Sequence, residues 1–151
     1  MRLTMISLAA AVWCAGAGYG EAQDRTIESA NEFLELVSNR GTARIGTFAI
    51  DRYQASGCST VIDGHFFDDH GKLTARVSLN WAEFTEIEYP FISNDRRFQV
   101  SGPVRRSYED GSSGLSPSTE FEYESASTAS RAATAVEFLI ESCDRSQGYG
   151  F

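Results

Sequence analysis

Residues 72–81 read KLTARVSLNW, and this stretch decides the fold class. Apolar side chains at positions 73, 75, 77, 79 and 81 alternate with the polar side chains between them. Because successive side chains of a β-strand point to opposite faces of a sheet, the alternation predicts a strand with one buried and one exposed face. Such a strand is typical of an antiparallel sheet that is covered on one side.

A period of two extends over much of residues 42–125, where we predict further strands. They cover residues 43–55, 58–62, 87–92, 98–104 and 119–125, with Pro90 interrupting the third of them. The Gly, Ser and Pro residues at positions 110–118 favour a surface loop. The sequence therefore predicts an antiparallel sheet of four to six strands.

Helical periodicity is found on both sides of this region. Thr26 is a suitable N-cap for a helix with apolar residues at positions 27, 30, 33, 34 and 37, and Gly41 is a suitable stop. A second helix is predicted over residues 127–143, with an apolar stripe along one side. The predicted fold is α+β: an N-terminal helix, the sheet and a C-terminal helix, with both helices on one sheet face.

Residues 1–22 have the composition of a secretory signal peptide, with a positive charge near the start and small residues at the end. An uncleaved anchor helix is the alternative, but it needs roughly 20 apolar residues, and the run at 3–14 offers only about a dozen. We expect cleavage between Ala17 and Ala22. One domain, residues 23–151, would then be exported to the periplasm or the medium.

The charge of the chain excludes some classes of partner. The 151 residues carry a formal net charge of −8, and Lys72 is the only lysine. Phosphate backbones and anionic lipid surfaces repel such a protein, so we expect no nucleic-acid binding. No second long apolar run follows the first, and we expect no stable membrane insertion after signal cleavage.

The cysteines predict one disulfide. Cys14 lies in the predicted signal peptide, which leaves Cys58 and Cys143 as an even pair in an exported protein. Cys143 lies on the apolar stripe of the predicted C-terminal helix, and Cys58 begins a predicted strand. We therefore predict a bridge between the last helix and the sheet. Two free buried thiols are the alternative.

Both histidines of the chain lie in one short acidic stretch. His65, Asp68, Asp69 and His70 offer the nitrogen and oxygen ligands that suit Zn²⁺ or another divalent metal ion. The competing interpretation is ordinary turn chemistry, since Asp residues bond to their own backbone in turns and Gly71 can adopt a positive φ. The cofactor prediction is therefore none, with a divalent metal as the alternative.

Three glutamates alternate with aromatic residues near the end of the predicted sheet. Glu120, Glu122 and Glu124 would share the outer face of one strand, where like charges attract a basic partner. A solvated outer face is the alternative. The basic pairs at 96–97 and 105–106 are expected to offset glutamates on neighbouring strands, or to hold an anion.

The sequence contains no nucleophile-elbow motif and no phosphate-binding glycine loop. We therefore expect an exported binding or inhibitor-type protein rather than an enzyme, with a basic protein or a small molecule as its partner. The alternative function is a small hydrolase or metal-binding protein centred on residues 63–70.

Overall fold

A computed structural model of the protein describes residues 25–69, 71–89 and 95–144, which contain two helices and seven strands. In chain order the elements are α1 (Ile27–Ser38), β1 (Arg44–Ile45), β2 (Phe48–Ser56), β3 (Ser59–Asp68), β4 (Gly71–Asn80), a 3-10 helix (Trp81–Glu83), β5 (Glu86–Glu88), β6 (Arg97–Tyr108), β7 (Ser113–Glu122) and α2 (Ala126–Cys143). The predicted signal peptide and residues 145–151 lie outside the described residues.

The strands form one antiparallel sheet that closes on itself. The order is β4-β3-β2-β1-β7-β6, and β6 pairs with β4 to complete a six-stranded barrel. Closure depends on the length of β6, because its first half pairs with β5 and its second half pairs with β4. A register shift between Ser101 and Val104, at a Gly-Pro pair, bends β6 between these halves.

The α+β class is confirmed, but the predicted number of strands is wrong because the described residues contain seven. The additional strand arises at Gly46, whose φ of 57° belongs to the left-handed region that favours glycine. The turn there divides the predicted strand 43–55 into β1 and β2, which pair with each other.

The predicted loop at residues 110–118 is also wrong for most of its length. Residues 113–118 belong to β7, where Ser113, Gly114, Leu115, Ser116 and Ser118 each pair with a residue of β6. Serine, glycine and proline have little intrinsic preference for strands, but pairing with a long neighbouring strand outweighs that preference.

Strand β4 confirms the alternation of residues 72–81. Ala75, Val77 and Leu79 are buried on its inward face. Trp81 is fully buried as well, although it lies in the 3-10 helix that follows the strand. Its indole nitrogen Nε1 donates a hydrogen bond to Thr60 Oγ1 at 2.9 Å, which satisfies the polar atom of the largest core side chain.

Both predicted helices are confirmed. Thr26 caps α1 through a reciprocal pair of 3.0 Å hydrogen bonds with Ser29, and Ser125 caps α2. The two helices contact each other, and both bury apolar side chains in the core lined by the inward faces of the strands. None of the described helices has the length and apolar character needed to cross a membrane.

The disulfide prediction is confirmed, since Cys58 and Cys143 are bonded. The bridge joins the turn between β2 and β3 to the last residue of α2. Cys143 is buried, as the stripe on the predicted helix required. The bridge therefore fixes the end of the C-terminal helix to one end of the barrel.

Side chains of α1 and its C-cap take the place of a strand along β2. Asn39 Nδ2 donates to the carbonyl oxygen of Tyr53 at 3.0 Å, and Asn39 Oδ1 accepts from the Tyr53 N–H at 2.7 Å. Glu35 accepts from the N–H of Ala55 at 2.6 Å. Because β1 is only two residues long, these bonds satisfy the part of β2 that extends past it.

Candidate functional site

Of the three glutamates predicted to share one strand, Glu120 and Glu122 lie on β7 and Glu124 follows its end, and all three have counter-charges nearby. Arg97 lies 3.6 Å from Glu120, Arg96 lies 3.4 Å from Glu122, and Arg40 lies 3.2 Å from Glu124. Any basic partner would have to compete with these three guanidinium groups. The basic-partner hypothesis for Glu120, Glu122 and Glu124 stays a prediction.

The basic pairs are expected to offset glutamates on neighbouring strands, and Arg97 with Glu120 is such a pair between β6 and β7. Besides Arg96 and Arg97, Arg105 lies 2.7 Å from Glu83, and its hydrogen bond lowers the pKa of that carboxyl group. Arg106 instead donates a 2.6 Å hydrogen bond to Ser116. Three of the four arginines therefore form ion pairs within the chain.

The residues proposed as metal ligands are only partly described. His65 Nδ1 lies 2.8 Å from a carboxylate oxygen of Asp51, a residue that sequence reasoning did not single out. Asp69 is exposed in the turn after β3, whereas His70 and the side chain of Asp68 lie outside the described part. Within the described residues, no group of three or more His, Cys, Asp or Glu side chains could hold a metal ion. The four-residue metal site stays a prediction.

Asp51 comes within reach of His65 because strand β2 changes register at this point. The shift lies between Ile50 and Arg52, so the residue between them has no direct partner on β3. Sequence periodicity cannot locate such a shift, which explains why Asp51 was missed.

The glycine in the histidine-containing stretch has a packing role. A Cβ atom at Gly64 would overlap the carbonyl oxygen of Ala49 and the ring of Phe48. Gly64 therefore allows β2 and its aromatic side chain to approach β3 closely. Gly71, the first residue of β4, has a φ of 122°, which belongs to the region that favours glycine.

A shallow polar depression of about 380 Å³ adjoins this stretch on the outer face. Its charged side chains already have partners. Asp63 accepts hydrogen bonds from Arg76 at 2.7 and 3.2 Å, which lower the pKa of the Asp63 carboxyl group. Glu109 accepts a hydrogen bond from Thr74 at 2.5 Å. The depression therefore presents groups that are largely satisfied within the protein.

A second, larger concavity lies between the two helices. This groove has a volume of about 630 Å³, and its apolar lining consists of Ala30, Phe33, Leu36, Ala135 and Phe138. Its polar lining consists of Arg25, Ser29, Glu32, Arg131 and Thr134. We call this site the inter-helix groove.

Helix periodicity brings these side chains together. On α1, positions 29, 32, 33 and 36 share one face, and on α2, positions 131, 134, 135 and 138 share another. Leu34 and Val37 of α1 face the barrel core instead and are buried. The groove therefore borders the core, because Ala30 is a core residue and Phe33, Ala135 and Phe138 pack against the core.

The arginine of α2 lies over an aromatic ring in the groove. The guanidinium carbon Cζ of Arg131 lies 4.7 Å from the centre of the Phe33 ring, a cation–π contact between the two helices. Among the described residues, neither Arg131 nor Arg25 forms an ion pair with a carboxylate. The groove thus combines apolar side chains with two arginines that lack an acidic counterpart in this part of the chain.

Sequence reasoning assigned Phe33 to the core stripe of α1 and did not identify a groove. The signal that could have revealed it is the width of the apolar surface. Leu36 lies off the core stripe and is 61% exposed, so α1 carries more apolar surface than packing on the sheet requires. The meeting of this surface with α2 depends on tertiary structure.

No protein-family model matches the chain, and neither a curated protein nor a solved structure matches it. The function of the chain is therefore inferred from the geometry of its own residues.

Proposed function

We propose that this chain is an exported binding protein that holds a small, largely apolar molecule in the inter-helix groove. The groove itself carries the proposal. Its volume of about 630 Å³ falls in the range of roughly 300–1,000 Å³ that small-molecule sites occupy. Its lining has the usual composition of such sites, apolar and aromatic side chains with a few polar groups.

The polar groups of the groove favour binding over nucleophilic catalysis. The Ser29 hydroxyl donates to the carbonyl of Thr26 and accepts from its N–H, both at 3.0 Å. The Thr134 hydroxyl donates to the carbonyl of Ser130 at 3.1 Å. Both hydroxyl groups of the lining are therefore engaged with helix backbone, and no histidine or cysteine lies beside them in the lining.

Export is supported by two independent features of the chain. Residues 1–22 have the composition of a cleavable signal peptide. The Cys58–Cys143 disulfide is a bond that persists in oxidising compartments. We propose the periplasm or the extracellular medium as the place where the ligand is bound.

Binding of a neutral, apolar fluorescent dye, N-phenylnaphthylamine, tests the proposal. We expect saturable enhancement of its fluorescence by the protein. Leu36→Glu puts a charge among the apolar side chains of the groove. We expect it to lower the affinity for the dye by about tenfold or more, which corresponds to roughly 1.4 kcal/mol. Leu115→Glu is the matched control, because Leu115 is 70% exposed on β7 and lies outside the groove.

The control should bind the dye as the wild type does. Absence of dye binding by the wild type, or equal losses in the two variants, would contradict the proposed function. Circular dichroism of both variants shows whether each is folded before affinities are compared.

One observation favours a second candidate function, metal binding at His65. A carboxylate that orients one imidazole nitrogen leaves the other available, an arrangement common around metal-binding histidines. Asp51 holds Nδ1 of His65 at 2.8 Å, which leaves Nε2 to bind a metal ion. Equilibrium dialysis with Zn²⁺, Ni²⁺ and Cu²⁺ tests this function. Binding that survives the double variant His65→Ala/His70→Ala contradicts it.

A further inference from the structure

We infer that the inter-helix groove selects ligands that carry a negatively charged group at one end of an apolar body, and that Arg131 determines this selectivity. The inference rests on the proposed function, since it names the ligand class of the same groove. The chemistry is that of a medium-chain amphiphile with a carboxylate or phosphate head group. Arg131 would bind the head group while the phenylalanine and leucine side chains contact the apolar part.

The guanidinium group of Arg131 forms no hydrogen bond and no ion pair among the described residues, which leaves its N–H donors available. A cation–π contact is electrostatic and does not itself occupy the N–H donors, which lie in the plane of the guanidinium group. The planar fork matches the two oxygens of a carboxylate or a phosphate. Because Phe33 holds the guanidinium 4.7 Å from its ring centre, the cation stands at the edge of the apolar lining.

Of the ten described arginines, five form ion pairs with carboxylates of the chain: Arg40, Arg76, Arg96, Arg97 and Arg105. Arg44, Arg52 and Arg106 form no such pair among the described residues either, but they lie outside the groove. Arg131 and Arg25 line the groove without such a partner among the described residues. An anion bound there would supply the missing counter-charge without displacing an existing ion pair.

The local charge of the groove has the sign opposite to that of the whole chain. Its lining holds two arginines and one glutamate, Glu32, so its formal charge is 2 − 1 = +1. The complete chain has a formal charge of −8. A cationic amphiphile would be attracted to the protein as a whole but would meet two arginines in the groove. Preference for an anion over a cation would therefore reveal recognition by the groove itself.

The size of the groove favours a small molecule over a protein. A stable protein interface buries about 800 Å² on each partner, with roughly 20–30 residues contributed by each side. The groove is lined by ten residues. A single amphiphilic molecule is the occupant whose dimensions and charge both fit.

Displacement of N-phenylnaphthylamine by four molecules with the same eight-carbon chain tests the inference. The competitors are octanoate, octyl phosphate, octanol and octyltrimethylammonium. We expect both anions to bind at least about tenfold more tightly than octanol, as a charge-assisted hydrogen bond provides, and the cation to bind most weakly. The ratio of the affinities for octanoate and octyl phosphate shows which of the two head groups the groove prefers.

Arg131→Gln should reduce the affinity for the two anions to that for octanol, while the affinity for octanol stays unchanged. Arg131→Lys retains the charge and should recover part of the preference. Arg105→Gln is the matched control, because Arg105 is paired with Glu83 and does not line the groove. This control should change none of the affinities.

The outcomes separate the inference from the proposed function. Equal affinities for octanol and the anions in the wild type overturn the inference, although the groove still binds apolar ligands. An equal loss of octanol and octanoate binding in Arg131→Gln also overturns it, because Arg131 would then act only by packing on Phe33. Failure of the dye to bind the wild type removes the proposed function as well.

Discussion

The outer face of the barrel and the outer face of the two helices use arginine in different ways. On the barrel, Arg76, Arg97 and Arg105 each lie within 3.6 Å of a carboxylate supplied by the chain. On the helices, Arg131 lies over the Phe33 ring and has no carboxylate partner among the described residues. Arg44 and Arg52, on β1 and β2, also form no ion pair within the described part, but neither lies over an aromatic ring there. The comparison teaches that the number of charges on a surface does not show how many of them are already paired.

The two regions are also held together in two different ways. The end of α2 is attached covalently through Cys143 and Cys58. The end of α1 is attached through the side chains of Glu35, which accepts a hydrogen bond from the backbone of β2, and Asn39, which both donates to it and accepts from it. The inter-helix groove depends on both attachments, because each one positions one of its walls.

Breaking the covalent attachment should have the largest effect. Cys58 and Cys143 are 85 residues apart. On the chain-entropy model, the double variant Cys58→Ser/Cys143→Ser should therefore lose roughly 4–5 kcal/mol of the free energy of unfolding. Urea denaturation of the variant and of the oxidised wild type measures the difference. Reduced wild type is the control. It keeps both sulfur atoms, so it distinguishes the contribution of the covalent bond from that of side-chain packing. Unchanged stability after reduction would show that the bridge does not hold the helix to the barrel.

Removing the hydrogen bonds of α1 should have the next largest effect. Asn39→Ala leaves both the N–H and the carbonyl of Tyr53 without their side-chain partner. We expect the free energy of unfolding to fall by about 1–3 kcal/mol. Arg40→Ala is the control, since it is adjacent and removes only an exposed ion pair. Equal stability losses in the two variants would contradict the role given to Asn39.

Alkaline pH should have a smaller effect on the free energy of unfolding, through the buried contact between Ser38 of α1 and Tyr123, which follows β7. Burial raises the pKa of Tyr123 to about 12, and its hydroxyl lies 3.3 Å from Ser38 Oγ. Because the pKa in the folded state is the higher one, this contribution to stability is complete below about pH 10 and is lost as the pH rises toward 12. The Tyr123→Phe variant should lose less stability than the wild type over that interval. Parallel pH curves for the two proteins would argue against the assignment.

The smallest effects should come from single arginines, and they sharpen the comparison between the two faces. We expect Arg97→Gln and Arg131→Gln each to shift the Tm by less than about 3 °C, because both side chains are exposed. The shift for Arg97→Gln should shrink as salt is added, since salt screens exposed ion pairs. The shift for Arg131→Gln should depend less on salt. Identical salt dependence in calorimetric scans would mean that the two arginines are held by similar forces.

The parts of the fold that sequence reasoning predicted depend on local patterns. The alternation around Val77, the capping residue Thr26 and the inward position of Cys143 were all confirmed. The strand at residues 113–118 was missed because its composition is that of a loop and its pairing comes from β6. Trp81 was assigned to β4 because alternation alone does not show where a strand ends.

The candidate site was less predictable than the fold. Phe33 was recognised as an apolar helix residue, but its contact with Arg131 joins two helices at opposite ends of the domain sequence. Asp51 reaches His65 only through a register shift in β2. Neither contact can be predicted from the periodicity of the sequence.

The sequence by itself determined the two helices, the apolar face of β4, the acidic balance and the pairing of the cysteines, because each depends on periodicity, composition or counting. Tertiary structure alone decided the closure of the barrel, the pairing of the surface arginines and the inter-helix groove. These features arise where distant segments meet. The free energy of such contacts depends on how the distant segments are placed relative to each other, and local side-chain patterns do not encode that placement.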